Sequence, residues 1–211
     1  MDNKFIAGLG KAVDSILLSI IWLVFCIPIF TIGASTTAFY YTVHKSLHHG
    51  RSYIWRSFWS SFKDNFKQST LMWLIMMVVY VVLALDRSIM LAELENGGAL
   101  GVLYYMFIVM TALAVIWNIY IFAYTARFEN TKKAIMKNAA IFAFANPGWS
   151  ILILALLIVA VVAVMLMPPL VFIVPSVLFL MYDVILERIF RKYMSEEDLE
   201  KEKENDLLDE E

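Results

Sequence analysis

Four stretches of the chain, residues 15–43, 68–85, 96–126 and 138–182, contain no charged side chain. A helix needs about 20 mostly apolar residues to cross a hydrocarbon core of about 30 Å. Water is absent from that core, so the backbone must satisfy its own hydrogen bonds as helix. A membrane barrel would instead show apolar–polar alternation over segments of about ten residues, and the sequence has none. Turn and helix-breaking residues at Pro28, Gly97-Gly98, Asn146-Pro147-Gly148 and Pro168-Pro169 divide the runs. The pattern predicts an all-α, polytopic membrane helical bundle with about five transmembrane helices. The spans fall at about 15–36, 69–85, 100–126, 149–167 and 170–186. The first run is too short for two full crossings, so it is read as one crossing with a kink or unwound turn after Pro28. Residues 1–194 form the membrane domain, and 195–211 form an acidic cytoplasmic tail.

Interfacial amphipathic helices are expected between the spans, at about 51–67 and 131–145, and over residues 1–14. The first of these carries the clearest candidate surface. Ile54, Phe58, Phe62 and Phe66 recur every four residues as one apolar stripe, widened by Trp55 and Trp59. Arg56 and Lys63 lie on the opposite face. Aromatic and basic residues on one amphipathic helix favour a bilayer interface. The stripe therefore reads either as a membrane anchor or as a docking surface for a transport or sensor protein.

Composition agrees with the pattern: 61% of residues are hydrophobic, 17% are charged, and the mean hydropathy is +0.72. A soluble domain would be roughly half apolar and a quarter charged. The net charge of −2 hides an asymmetry. From Ser195 onward there are ten acids and two lysines, a balance of −8, which leaves +6 on the rest. The basic residues are dispersed among aromatic residues and helix ends, which argues against nucleic-acid binding. Basic segments stay on the cytoplasmic side. That rule places 44–68, 127–148 and the C-terminus inside and the acidic loop 86–98 outside, and five crossings then place the N-terminus outside.

Candidate chemistry is sparse. The single cysteine, Cys26, excludes an internal disulfide and a cysteine-based metal cluster. His44 and His48 sit one helical turn apart with His49 beside them. No carboxylate neighbours them in sequence and the HExxH pattern is missing, so no metal or other cofactor is expected. Polar groups inside spans are costly in lipid. Two stand out: Asn118, read as a helix–helix hydrogen-bonding group, and Asp183, read as an interfacial ion-pairing group on one face with Glu187 and Arg191. There is no Gly-rich phosphate loop, catalytic acid pair or nucleophile–base arrangement. No catalytic residue is assigned and an enzyme is not expected.

The stretch from Cys26 through Pro28-Ile29-Phe30-Thr31-Ile32-Gly33-Ala34-Ser35-Thr36-Thr37 to Tyr41 resembles the opening signature of the YesL-like family of bacterial integral membrane proteins. Tyr53-Ile54-Trp55-Arg56-Ser57-Phe58 and Phe62-Lys63-Asp64-Asn65-Phe66-Lys67-Gln68 resemble it too. That family has no established function or catalytic residues. Its members often lie near genes for carbohydrate uptake and sensing. The resemblance implies a plasma-membrane accessory or regulatory role in carbohydrate uptake or sensing, with a sugar-transporter permease or a sensor as partner beside the lipid bilayer. The alternative is a small transporter or channel acting as a homo-oligomer.

Overall fold

The computed structural model describes residues 2–48 and 54–194, with side chains placed from Gly10 to Lys45 and from Ile54 onward. His49, the first residues of the segment expected at 51–67 and the acidic tail lie outside the described residues. So do the side chains of residues 2–9, within the amphipathic helix expected over 1–14.

Seven α-helices form the fold, with no strand among the described residues: α1 (Asp2–Cys26), α2 (Ile32–Thr42), α3 (Ile54–Glu95), α4 (Leu103–Arg127), α5 (Lys132–Ala145), α6 (Pro147–Leu166) and α7 (Val174–Tyr193). Short 3-10 turns at Ile29–Thr31, Ala99–Val102 and Pro168–Phe172 and a π-helical turn at Val43–His48 join them. Three stretches are long and apolar enough to cross a membrane: Ile54–Glu95, Ala99–Arg127 and Pro147–Leu166. Only 11%, 17% and 11% of their most apolar windows is buried. Many of the other apolar side chains face outward, Val78, Val109 and Leu166 among them. Such a surface matches a lipid bilayer, because water would make its exposure unfavourable.

The first and last expected spans are organised differently from a plain crossing. Proline disfavours helix at the residue before it, and α1 stops ahead of Ile27-Pro28. The Thr31 hydroxyl then donates to the carbonyls of Phe25 and Pro28, both at 2.6 Å, and the Trp73 indole donates to the Ile29 carbonyl at 2.7 Å. Carbonyls freed by the break thus regain partners. Beyond the break the chain folds back. The rings of Trp22 and Phe39 lie 5.6 Å apart, and Ser35 donates to the Trp22 carbonyl at 3.2 Å. Along one straight helix those rings would be separated by about 25 Å. The expected single kinked crossing over 15–36 is therefore a pair of helices packed side by side. With only 11 residues, α2 is too short to span on its own.

In α7, by contrast, length suffices but the charged positions turn inward. Asp183 and Glu187 share its buried face with Tyr182, Leu186 and Phe190. From Ile54 onward, the expected interfacial helix and the expected span at 69–85 form one uninterrupted helix, α3, of 42 residues. At 1.5 Å per residue that is about 63 Å, twice the hydrocarbon thickness, so α3 extends beyond it.

α2 packs closely against α3. A Cβ on Gly33 would stand 2.6 Å from both the Ser69 carbonyl and the Trp73 Cβ. Glycine is what allows the backbones to approach this closely. Thr37 and Ser69 then share a buried hydrogen bond of 2.9 Å. Two hydrophobic clusters result. A smaller one joins α1, α2 and the start of α3, and a larger one joins α3 to α7. Elsewhere local rules set the boundaries. Gly97 takes φ 72° and ends α3, Thr131 caps the Ala134 amide to start α5, and Pro147 opens α6.

Candidate functional site

The charged residues that the fold buries meet at one point. The π-helical turn after α2 presents His44, α4 ends at Arg127, and α7 brings Asp183 and Glu187 one turn apart. Nδ1 of His44 lies 2.8 Å from Oδ1 of Asp183 and 3.7 Å from Oε1 of Glu187. The Arg127 guanidinium donates twice to Glu187, from Nε to Oε1 at 2.6 Å and from Nη2 to Oε2 at 2.9 Å. Tyr40 adds a long contact of 3.5 Å from its hydroxyl to Oε1. Asp183 is fully buried and Glu187 is 6% exposed. Carboxylates so placed need charged or hydrogen-bonding partners, since an unpaired buried charge is costly. The forked Arg127–Glu187 geometry is the strong form of such a pair.

The expectations for individual residues are met unevenly. Asp183 is not at an open interface; it is enclosed by residues from the other end of the chain. Glu187 shares a face with Asp183 as the helical spacing requires, and it pairs with Arg127, 60 residues away in sequence. No carboxylate lies near His44 in sequence, yet the fold supplies two within reach of it. Sequence periodicity holds no signal for this meeting, because the three segments belong to different helices.

Asn118 lines a cavity of about 220 Å³ with Thr36, Tyr40, Trp73, Phe122 and Tyr182. Its Oδ1 is buried and meets no donor among the described residues, while its side chain interacts with the Tyr80 hydroxyl of α3, in keeping with the helix–helix contact expected of it. A second, polar cleft of about 490 Å³ runs between α3 and the α4–α5 link, with Ser61, Asp64, Gln68, Arg127 and Asn130 on its walls.

The aromatic stripe lies mostly inside the protein. Phe58 is fully buried, and Ile54 and Phe62 are 3% and 7% exposed. Phe25 of α1 inserts among them, with ring separations of 5.4 Å to Phe58, 5.7 Å to Trp59 and 5.0 Å to Phe62. Phe66 and Trp59 are half-buried against the same cluster. Trp55 stays exposed, as do Arg56 and Lys63, the latter standing 4.8 Å over the Trp59 ring. The stripe's period is correct and its partner is largely this chain's own α1–α2 pair.

Comparison with known proteins adds one finding. Residues 16–87 match a family described as "Protein of unknown function, DUF624". The match takes in the C-terminal part of α1, all of α2, His44 and most of α3, but not Arg127, Asp183 or Glu187. No curated protein and no solved structure matches the chain.

Proposed function

We propose that this chain is a multi-pass plasma-membrane protein that works without catalysing a reaction, as an accessory or regulatory component of a larger assembly. The observation that carries the reading is the closure of the charged cluster. Both carboxylates buried among the described residues, Asp183 and Glu187, are held by His44 and Arg127 rather than arrayed along an open path. The cluster thereby fixes three helical segments to one another, which suits a scaffold that presents a surface. The three outward-facing apolar helices supply the lipid contact.

The resemblance noted in the sequence supports a finer version, in which the partner is a permease or sensor of carbohydrate uptake. Basic residues at the start of α5 (Lys132, Lys133, Lys137) and the end of α7 (Arg188, Arg191, Lys192) support a cytoplasmic C-terminal end. Mild-detergent purification from native membranes tests the reading, with stoichiometric recovery of such a membrane partner expected. Solute flux by the pure protein in proteoliposomes, with no partner recovered, would replace it with an oligomeric transporter or channel.

A further inference from the structure

We infer that His44, Asp183 and Glu187 form a binding site for a divalent first-row transition metal ion, one that clamps the turn after α2 onto α7. Each residue offers one ligand atom, and the three atoms lie within 4.8 Å of one another. Two of the residues are almost wholly enclosed. The inference stands independently of the accessory role, since a transporter or channel could hold the same ion.

The distances fit an inserted ion. Bond lengths of about 2.0–2.2 Å to nitrogen and oxygen place neighbouring ligand atoms about 3.3 Å apart in a tetrahedral shell. His44 Nδ1 now stands 2.8 Å from Asp183 and 3.7 Å from Glu187, so the first separation must open and the second close by about half an ångström, while the two carboxylates, within 4.8 Å of one another, must draw together around the ion. The ion takes the position of the proton shared by Nδ1 and Oδ1, and that proton moves to Nε2 or to solvent.

Arg127 helps in this geometry. A carboxylate has about four lone-pair sites, and the guanidinium fork occupies one on each Glu187 oxygen. The second site on Oε1 is reached only by the long 3.5 Å contact from the Tyr40 hydroxyl, which the ion would displace. A hydrogen-bonded outer partner of this kind fixes a ligating carboxylate in place. One imidazole with two carboxylates favours Zn²⁺, Fe²⁺ or Mn²⁺ over Ca²⁺ and Mg²⁺, which prefer oxygen alone. With three protein ligands, a tetrahedral ion keeps one position for water.

The test uses the full chain, purified in detergent, treated with chelator and titrated with ZnCl₂, with MgCl₂ as the control ion. One Zn²⁺ per chain is expected, with a higher melting temperature that Mg²⁺ does not reproduce. His44→Gln and Asp183→Asn should each weaken binding by more than about tenfold, while the double variant His48→Gln/His49→Gln keeps the ion. X-ray absorption of the Zn²⁺-loaded wild type gives a reading independent of any variant's folding, and one imidazole in the shell is expected. Absence of stoichiometric Zn²⁺ binding by the wild type would overturn the inference. So would two or more imidazoles in the shell, or loss of the ion in the His48/His49 double variant while His44→Gln retains it.

Discussion

His44 and Asp183 lie 139 residues apart in the chain and 2.8 Å apart in the fold. Through this contact the turn that follows α2 is tied to α7, the last helix. Tyr40, one turn earlier in α2, reaches Glu187 on that same helix. The bundle is thus closed by polar contacts between its first and last segments, while its apolar helices face outward.

Arg127 and Glu187 should couple strongly. Removing one member of a buried ion pair leaves the other charge uncompensated, at a cost of about 3–5 kcal/mol. Glu187→Met is expected to lower stability by a few kcal/mol, and Arg127→Met to do the same. The double variant Arg127→Met/Glu187→Met should lose less than the sum, because it buries no orphaned charge. Thermal unfolding of the four proteins in one detergent measures the coupling, and simple additivity would show that the pair is not the unit described.

Gly33→Ala should destabilise by about 1–3 kcal/mol, the range typical of overpacking. The added methyl would meet the Ser69 carbonyl and the Trp73 Cβ, and both belong to backbone-anchored parts of α3. Gly10→Ala and Gly148→Ala meet nothing within 4 Å and serve as neutral controls. Equal melting temperatures for all three variants would contradict the close approach of α2 to α3.

Phe58→Ala should cost about 3 kcal/mol or more, as large-to-small changes in a core do. Phe58→Leu should cost about 1 kcal/mol. Trp55→Leu, on the exposed side of the stripe, should leave the melting temperature close to wild type. Loss of a partner on changing Phe58 would therefore act through the α1–α2 pair, whereas loss on changing Trp55, with stability intact, would mark a direct contact. A Phe58→Ala protein as stable as wild type would remove the stripe from the core.

These residues also show how far the sequence could be read. The apolar runs exposed the membrane helices of α3, α4 and α6 because a long uncharged stretch is a local signal. The four-residue spacing of Ile54, Phe58, Phe62 and Phe66 fixed one helical face but not what covers it, since Phe25 comes from a separate helix. Pro28 signalled a break. Whether the chain kinks or folds back depended on Ser35 and Phe39 finding Trp22, a contact made in three dimensions. Asp183 and Glu187 could be placed on one face of α7, yet Arg127 and His44 lie beyond the reach of any periodicity argument. Of the candidate site, the sequence therefore marked Asp183 and its neighbour Glu187, while Arg127 was not singled out and His44 was set aside.

The placement of α1 against α7 can be tested by a crosslink. The hydroxyls of Ser19 and Ser176 are 2.8 Å apart and buried, and Ser176 also donates to the Ser15 carbonyl at 2.6 Å. A disulfide needs Cβ atoms about 3.5–4.5 Å apart, and a serine pair in mutual hydrogen-bond contact leaves its Cβ atoms near that range. In a Cys26→Ala background, Ser19→Cys/Ser176→Cys should oxidise readily to an intrachain disulfide. The crosslinked chain should migrate differently from its reduced form on a denaturing gel. The same oxidant should leave a pair with Ser88→Cys in place of Ser176→Cys uncrosslinked, because Ser88 lies near the far end of α3 with its hydroxyl on the Ala84 carbonyl. Crosslinking should be insensitive to protein concentration, since both cysteines belong to one chain. A crosslink that appears only as a dimer would mean that α1 packs on a second copy. No crosslink at all would mean that α1 does not reach α7, and would take with it the closure of the bundle at that end.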